Sequence, residues 1–169
     1  ASNKTTLSLN GKTLTFTGNS VKAVGAILLR GSQEFTVSGA GSLVSTEESP
    51  LIWCSSKNAV VTLGGSAKTV YQGNNPSAEL VYCEYGTINI TGGVYKNSGS
   101  RYLLNCKDAN YRAGTAKIVV TGGKFYDFNP ADNLAEGAGT SFVAEGYKSV
   151  ASTVAEDGVE HTVYTVSKA

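Results

Sequence analysis

The apolar positions of the chain fall into two short phrases that alternate with polar segments. The first phrase has four residues, and its copies occupy 26–29, 51–54, 80–83 and 103–106. The second is a β-rich run that ends at one or two glycines, with copies at 35–40, 60–65, 88–93 and 118–123 and a looser copy at 14–19. Apolar side chains recur at every second position, and no long segment has the spacing of an amphipathic helix. The pattern therefore predicts an all-β chain.

The spacing of the second phrase predicts how the strands are arranged. Its first glycines stand at positions 18, 39, 64, 92 and 122, which are 21, 25, 28 and 30 residues apart. A repeat of this length, with variable insertions, is typical of a solenoid whose coils keep their strands and vary their loops. We predict a short right-handed parallel β-helix (β-solenoid) of about five coils. A β-sandwich with hairpins about ten residues apart is the alternative, but it does not explain why three cysteines close the same phrase.

Alternation along the strands predicts two interior ladders. The first phrase contributes Ile27, Leu29, Ile52, Cys54, Val81, Cys83, Leu104 and Cys106. The second phrase contributes Phe35, Val37, Val60, Thr62, Ile88, Ile90, Ile118 and Val120. The three cysteines are expected to pack as buried, reduced thiols. A disulfide or a metal site is the alternative, but an odd count, isolated spacing and a single distant His161 disfavour both.

The ends of the chain depart from the repeat. We expect the coils to occupy 1–133, with residues 1–12 and their Asn10-Gly11 turn as a lead-in. The remainder, 134–169, is predicted to form a C-terminal β cap. Within it, Asp157-Gly158 lies between two β-rich runs and predicts a hairpin turn. The last coil of a solenoid needs such cover, because its core is otherwise exposed.

The other side of the first-phrase strands is unexpectedly apolar. Alternation places Leu51, Trp53, Leu80, Tyr82 and Leu103 there. A sheet face in water normally carries polar residues, so an apolar face of this kind predicts a covered surface. We expect these five residues to form an interface between copies of the chain, with cover by the chain's own C-terminal segment as the alternative.

The low charge of the chain and the positions of its carboxylates limit the classes of function that we expect. Only 16% of residues are charged and the net charge is +1, so neither nucleic acid nor a membrane is an expected partner. The carboxylates Glu84, Asp108 and Asp127 lie in turns or just after strands, and no outward strand position repeats one. We therefore expect no catalytic residue, no cofactor and no metal. A polysaccharide lyase or hydrolase acting through Glu84 or Asp127 is the least favoured alternative.

Two motifs carry a resemblance to known families. Gly92-Gly93-Val94-Tyr95 and Gly122-Gly123-Lys124-Phe125 are similar to corners of pectin-lyase-like β-helix proteins. The run from Gly122 to Tyr147 resembles the closing segment of β-helix modules in bacteriophage virion proteins and gut-bacterial surface proteins. The matching positions are Phe125, Phe128-Asn129-Pro130 and Val143-Ala144-Glu145-Gly146-Tyr147.

The resemblance implies a non-enzymatic virion structural protein, such as a head fibre, a capsid decoration or a tail appendage. It implies a homo-oligomer, with a trimer favoured, that is assembled in the bacterial cytoplasm and contacts a capsid protein and a host-surface glycan. The alternative is a carbohydrate-binding adhesion module at the bacterial cell surface. Its sugar-stacking residues would be the aromatic side chains expected in loops, Tyr71, Tyr95, Tyr111 and Tyr126.

Overall fold

The structure is a computed structural model that describes residues 3–18, 25–74, 78–98 and 102–169. Its strands are β1 (Asn3–Ser8), β2 (Lys12–Phe16), β3 (Ile27–Leu29), β4 (Gln33–Ser38), β5 (Gly41–Ser45), β6 (Ile52–Leu63), β7 (Thr69–Gly73), β8 (Val81–Asn97), β9 (Leu104–Cys106), β10 (Ala116–Tyr126), β11 (Tyr147–Glu156) and β12 (Val159–Lys168). One short helix, α1 (Asp108–Arg112), lies between β9 and β10.

The predicted fold class is confirmed: the strands form a parallel β-solenoid of about four turns. Long strands such as β6 and β8 bend around the corners, so each coil contributes to three parallel sheets. We name these the cysteine sheet (β3, 52–54, 81–83 and β9), the central sheet (β1, β4, 60–63, 87–91 and 116–122) and the tyrosine sheet (β2, β5, β7, 94–97 and 123–126).

The cysteine sheet places like residues on successive rungs. Cys54 is in register with Cys83, and Cys83 with Cys106. On the rung below Cys54, Leu29 takes the same interior position. All four side chains are buried, as predicted for this ladder.

The central sheet differs from the prediction on one rung. Val37 is in register with Leu63, and Phe35 with Val61. Val61 and Leu63 are fully buried, whereas Val60 is 36% exposed, so the assignment of Val60 and Thr62 to the interior is wrong by one residue. The run from Ala59 to Leu63 has β-compatible side chains at almost every position, so the pattern does not fix which alternate set points inward.

The tyrosine sheet contains a stack of rings that the sequence did not predict. Leu43, Tyr71, Tyr95 and Phe125 occupy one interior column on consecutive rungs. The ring centroids of Tyr71 and Tyr95 are 4.7 Å apart, and those of Tyr95 and Phe125 are 5.0 Å apart. This spacing matches the distance of about 4.8 Å between neighbouring strands, so the rungs themselves set the stacking.

Glycine corners make room for these rings. The Tyr71 hydroxyl donates a hydrogen bond to the Gly64 carbonyl at 2.7 Å, and the Tyr95 hydroxyl donates to the Gly92 carbonyl at 2.8 Å. Gly93 has φ of +95°, and a Cβ there would lie 2.7 Å from the Tyr71 ring. The glycine pairs of the repeat are therefore needed both for the backbone turn and for the rings packed against it.

The first coil includes the entry strand and its turn. Strands β1 and β2 pair in parallel with β4 and β5, and Asn10-Gly11 (φ of +50° and +75°) forms the corner between them. The proposed copy at 14–19 is wrong: Leu14 aligns with Leu43 in the tyrosine sheet, not with the central-sheet phrase. Position 19 lies outside the described residues.

The last coil is closed by irregular chain and then by a hairpin. Phe128 and Phe142 are buried against the core, and Val143 forms a parallel bridge with Val120 that adds a rung to the central sheet. The hairpin predicted at Asp157-Gly158 is confirmed: β11 and β12 pair antiparallel across it. Strand β12 also pairs antiparallel with β10, so the tyrosine sheet continues with reversed strand direction.

Candidate functional site

The five residues predicted to form an interface do not share one surface. Leu51, Leu80 and Leu103 are only 1%, 1% and 3% exposed and belong to the core. Each stands at the bend before its strand begins, so alternation along the strand does not apply to it. Their assignment to the outer face is wrong.

Trp53 and Tyr82 do lie on the outer side of the cysteine sheet. They form one column with Leu28 and Asn105 on neighbouring rungs, and all four are half-buried. The two rings meet edge to face, with centroids 5.2 Å apart. Burial, with the nearby carboxylates of Glu79 and Glu84, raises the pKa of Tyr82 to about 12. The Trp53 Nε1 and the Asn105 Oδ1 are buried and have no hydrogen-bond partner among the described residues.

The cysteine ladder is made of free, buried thiols. Hydrogen bonding to Cys83, together with burial, raises the pKa of Cys54, and hydrogen bonding to Cys106 is the largest cause that raises the pKa of Cys83. Thiolate is the reactive and metal-binding form, so both shifts oppose reactivity. Within the described ranges, no group of three or more His, Cys, Asp or Glu side chains is placed to hold a metal ion.

A polar groove of 310 Å³ lies where the hairpin tip meets the tyrosine sheet. Lys96, on β8, reaches Glu156 at the end of β11 with Nζ 2.6 and 2.8 Å from the two carboxylate oxygens. This contact holds the pKa of Glu156 below its ordinary value. The same ammonium lies 4.4 Å from the centroid of the Tyr126 ring, a cation–π contact.

A histidine–aspartate contact lines the same groove. His161 Nδ1 lies 2.7 Å from Asp127 Oδ2, and the other Asp127 oxygen accepts the backbone N–H of Thr162 at 2.9 Å. Asp127 fixes one imidazole nitrogen and leaves Nε2 for other contacts. The edge of the Tyr126 ring faces this imidazole, with centroids 5.5 Å apart. The groove thus combines an aromatic ring, three carboxylates, an ammonium and an imidazole.

Sequence reasoning did not find this groove as a unit. Lys96 and Glu156 are 60 residues apart, and no periodicity links the hairpin tip to β8. The Lys96–Glu156 and Asp127–His161 contacts connect the coils to the hairpin only through the tertiary fold. Two aspartates of the groove have positive φ: Asp127, +56°, where the chain leaves β10, and Asp157, +52°, in the hairpin turn.

The remaining candidate residues are placed apart from one another. Glu84 pairs with Lys107 at 2.9 Å on a different corner from Asp127. Of the tyrosines expected in loops, Tyr71 and Tyr95 are fully buried, so their proposed role in sugar stacking is wrong. Tyr111 packs against Phe142, with centroids 6.2 Å apart. Tyr126 lines the open groove at the hairpin tip.

Comparisons with known proteins give no family. No family model, no curated protein and no solved structure matches the chain. In the described part of the chain, no helix is long and apolar enough to cross a membrane.

Proposed function

We propose that the chain is a non-enzymatic structural module of a bacteriophage virion, part of a head fibre, a capsid decoration or a tail appendage. The observation that supports this most is the continuous interior. Large buried side chains stack on consecutive rungs, from Leu43 through Tyr71 and Tyr95 to Phe125, and all four are 0% exposed.

Such an interior suits a mechanical role. Protein interiors are close-packed and resist compression, and here each rung is tied to the next by backbone hydrogen bonds along parallel strands. The loops lie outside these ladders and can vary without disturbing them. The module would act as a rigid spacer that holds its loops toward a capsid protein or a host-surface glycan.

Assembly is proposed to use the outer side of the cysteine sheet. With the three leucines assigned to the core, the contact surface reduces to the column of Leu28, Trp53, Tyr82 and Asn105. Aromatic residues are enriched at the centres of interfaces, because they bury a large apolar area and keep a polar atom for hydrogen bonding. We propose a homo-oligomer, with a trimer favoured, packed through this column.

Two experiments test the proposal. Mass spectrometry of purified virions, from a phage that encodes the chain, should find it as a stoichiometric component, and antibodies to the chain should label the particles in electron micrographs. Recovery of the chain only from the soluble fraction of the lysate would refute a virion role.

The assembly state is measured separately, by light scattering on a sizing column at two concentrations. Trp53→Asp should lower the particle mass while the β circular dichroism is kept. Val150→Asp, at a 53% exposed position on β11, is the matched control and should leave the mass unchanged. If Trp53→Asp keeps both fold and mass, the interface lies elsewhere.

A carbohydrate-binding adhesion module is the second candidate, and the Tyr126 groove is the observation that favours it. Carboxylates, an ammonium and an imidazole around an aromatic ring offer donors and acceptors that suit sugar hydroxyls. Glycan-array binding that Tyr126→Ala abolishes and Tyr147→Ala keeps would support this candidate. An array with no binding, measured on folded protein, would count against it.

A further inference from the structure

A second pocket, of 280 Å³, lies at the corner between the cysteine sheet and the central sheet, away from the Tyr126 groove. It is lined by lysine and threonine side chains and by two glycines. The lining residues are Lys57, Gly86, Thr87, Gly114, Thr115 and Lys117.

Three coils contribute to this corner. Lys57 lies in β6, Gly86 and Thr87 in β8, and Lys117 in β10, where it is in register with Thr87. Stacking of the coils therefore brings together two lysines that are 60 positions apart in the sequence. Both are exposed, and neither ammonium lies within 4.0 Å of a carboxylate of the described residues.

What distinguishes these two lysines is that they line one pocket and neither is in an ion pair with a described residue, whereas Lys4, Lys96 and Lys107 each form one. An anion bound in this pocket would therefore face two positive charges that no carboxylate neutralises.

Tyr85 helps to hold positive charge next to the pocket. Two ammonium groups lie near its ring: Lys57 Nζ is 5.4 Å from the ring centroid and Lys107 Nζ is 5.9 Å from it. Lys107 is partly neutralised by Glu84, 2.9 Å away, whereas Lys57 is not. The aromatic ring thus holds Lys57 at the edge of the pocket before any ligand arrives.

The geometry points to a phosphate-binding site: we propose that this pocket binds a phosphate group, as inorganic phosphate or as a phosphate monoester, through Lys57, Lys117 and the Thr87 hydroxyl. A phosphate monoester carries a charge of about −1.5 to −2 at neutral pH and has three terminal oxygens. It therefore matches two ammonium groups and one hydroxyl donor in both charge and number. A carboxylate carries a single negative charge, so it balances only one of the two ammonium groups. The Thr115 hydroxyl already donates to the Asn110 carbonyl, at 3.2 Å, so it is not counted among the donors.

A nucleic acid is a poorer match to the same pocket. Nucleic acids bind along extended basic surfaces that contact many phosphates, whereas the chain has a net charge of +1 and the pocket holds two unpaired lysines. The phosphate could be free inorganic phosphate or a phosphate group on a surface sugar. The site is independent of the proposed virion role and would be present in an adhesion module as well.

Calorimetric titration of the full chain tests the site with four probes: inorganic phosphate, a hexose monophosphate, a hexuronate and the unmodified hexose. We expect the two phosphates to bind with dissociation constants of about 1 mM, and more weakly as salt is added. The hexuronate should bind at least roughly fivefold more weakly than the hexose monophosphate, and the unmodified hexose should not bind. Tighter binding of the hexose monophosphate than of inorganic phosphate would identify a phosphorylated sugar as the ligand, and equal binding would identify free phosphate.

Two double variants separate a built site from general positive charge. Lys57→Gln with Lys117→Gln should weaken phosphate binding by roughly fivefold or more. The control, Lys12→Gln with Lys148→Gln, removes the same two charges from exposed positions and should change binding by less than about twofold. Lys57→Arg with Lys117→Arg keeps both charges and should keep most of the affinity.

Three results would overturn the proposal. In the first, the native chain does not bind phosphate. In the second, both glutamine double variants lose phosphate affinity equally. In the third, the hexuronate binds as tightly as the hexose monophosphate. Single-stranded DNA that binds more tightly than the phosphates and competes with them would also reject it, in favour of a nucleic-acid surface. All four substituted lysines are exposed, and unchanged thermal unfolding confirms that a loss of binding is not a loss of fold.

Discussion

The ring of Tyr95 lies over the ring of Tyr71 with the two planes 5° apart, and each hydroxyl is bonded to a glycine carbonyl of its own coil. Both side chains are 0% exposed. A tyrosine in this position fills the interior with its ring and satisfies a buried backbone oxygen with its hydroxyl. The stack therefore contributes packing and hydrogen bonding at the same rungs.

Tyr95→Phe isolates the hydrogen bond from the ring. The variant keeps the stack but leaves the Gly92 carbonyl without this donor, which should cost about 1–3 kcal/mol of unfolding free energy. Urea denaturation followed by circular dichroism measures the loss. Tyr147→Phe, at a half-buried tyrosine outside the stack, is the control and should change stability by less than about 0.5 kcal/mol. Equal effects at the two positions would mean that the Tyr95 hydroxyl contributes nothing specific.

Gly93→Ala tests the packing of the glycine corner against the tyrosine below it. An alanine at φ of +95° is strained, and its Cβ would lie 2.7 Å from the Tyr71 ring. Gly137 has φ of +113°, and a Cβ added there would meet no atom within 4 Å, so Gly137→Ala carries the backbone strain alone. We expect Gly93→Ala to be more destabilising than Gly137→Ala by about 1–3 kcal/mol. Thermal unfolding of the two variants makes the comparison, and similar losses would assign the whole effect to backbone strain.

Alkaline pH should destabilise the fold through its buried tyrosines. Burial is the largest cause that raises the pKa of Tyr82, to about 12, and it also raises the pKa of Tyr71 and Tyr95. An unfolded tyrosine ionises near pH 10. Because the folded pKa is the higher one, stability is retained below about pH 10 and falls as the pH rises toward 12. The near-ultraviolet absorbance of tyrosinate should increase in at least two steps, the later one together with loss of β structure. Ionisation of all tyrosines in a single step near pH 10, with the fold intact, would contradict this.

The Lys96–Glu156 ion pair should couple the hairpin to the coils. A double-mutant cycle with Lys96→Gln and Glu156→Gln should give a coupling energy of about 0.5–1 kcal/mol. Lys4 and Glu34 form a more exposed pair, in which the lysine side chain is 75% exposed against 26% for Lys96, and their cycle should give about 0.2 kcal/mol. Hydrogen exchange should report faster opening of β11 and β12 in the Lys96 variant. Equal coupling in the two pairs would mean that the groove adds nothing to an ordinary surface contact.

The three thiols should be unreactive in the folded chain. They are buried, and the pKa of Cys54 and of Cys83 is raised, so little thiolate forms near neutral pH. A disulfide-exchange reagent should label none of the three before unfolding and all of them in denaturant. Rapid labelling of native protein would show that the ladder opens or is exposed.

The repeat made the solenoid predictable, and its departures explain the errors. The stacking of the coils was predictable because glycines recur at the corners and a cysteine recurs at one interior position of the repeat. Alternation failed at Val60, where β-branched residues fill both faces, and at Leu51, which precedes its strand. The Tyr126 groove and the Lys57–Lys117 pocket were not predictable, since both depend on which coils become neighbours and how the hairpin folds back.

The reversal of strand direction at β12 makes the two ends of the solenoid unequal. Among the described residues, β1 pairs only with β4 and β2 only with β5, so the first coil offers parallel edges that another coil could extend. At the other end the tyrosine sheet passes into an antiparallel hairpin, and the core is closed by Phe128 and Phe142. The two ends therefore differ in the strand edges that they present: β1 and β2 are parallel edges, whereas β11 is an antiparallel edge. A longer fibre engineered by adding parallel coils would be extended most directly at the β1 side.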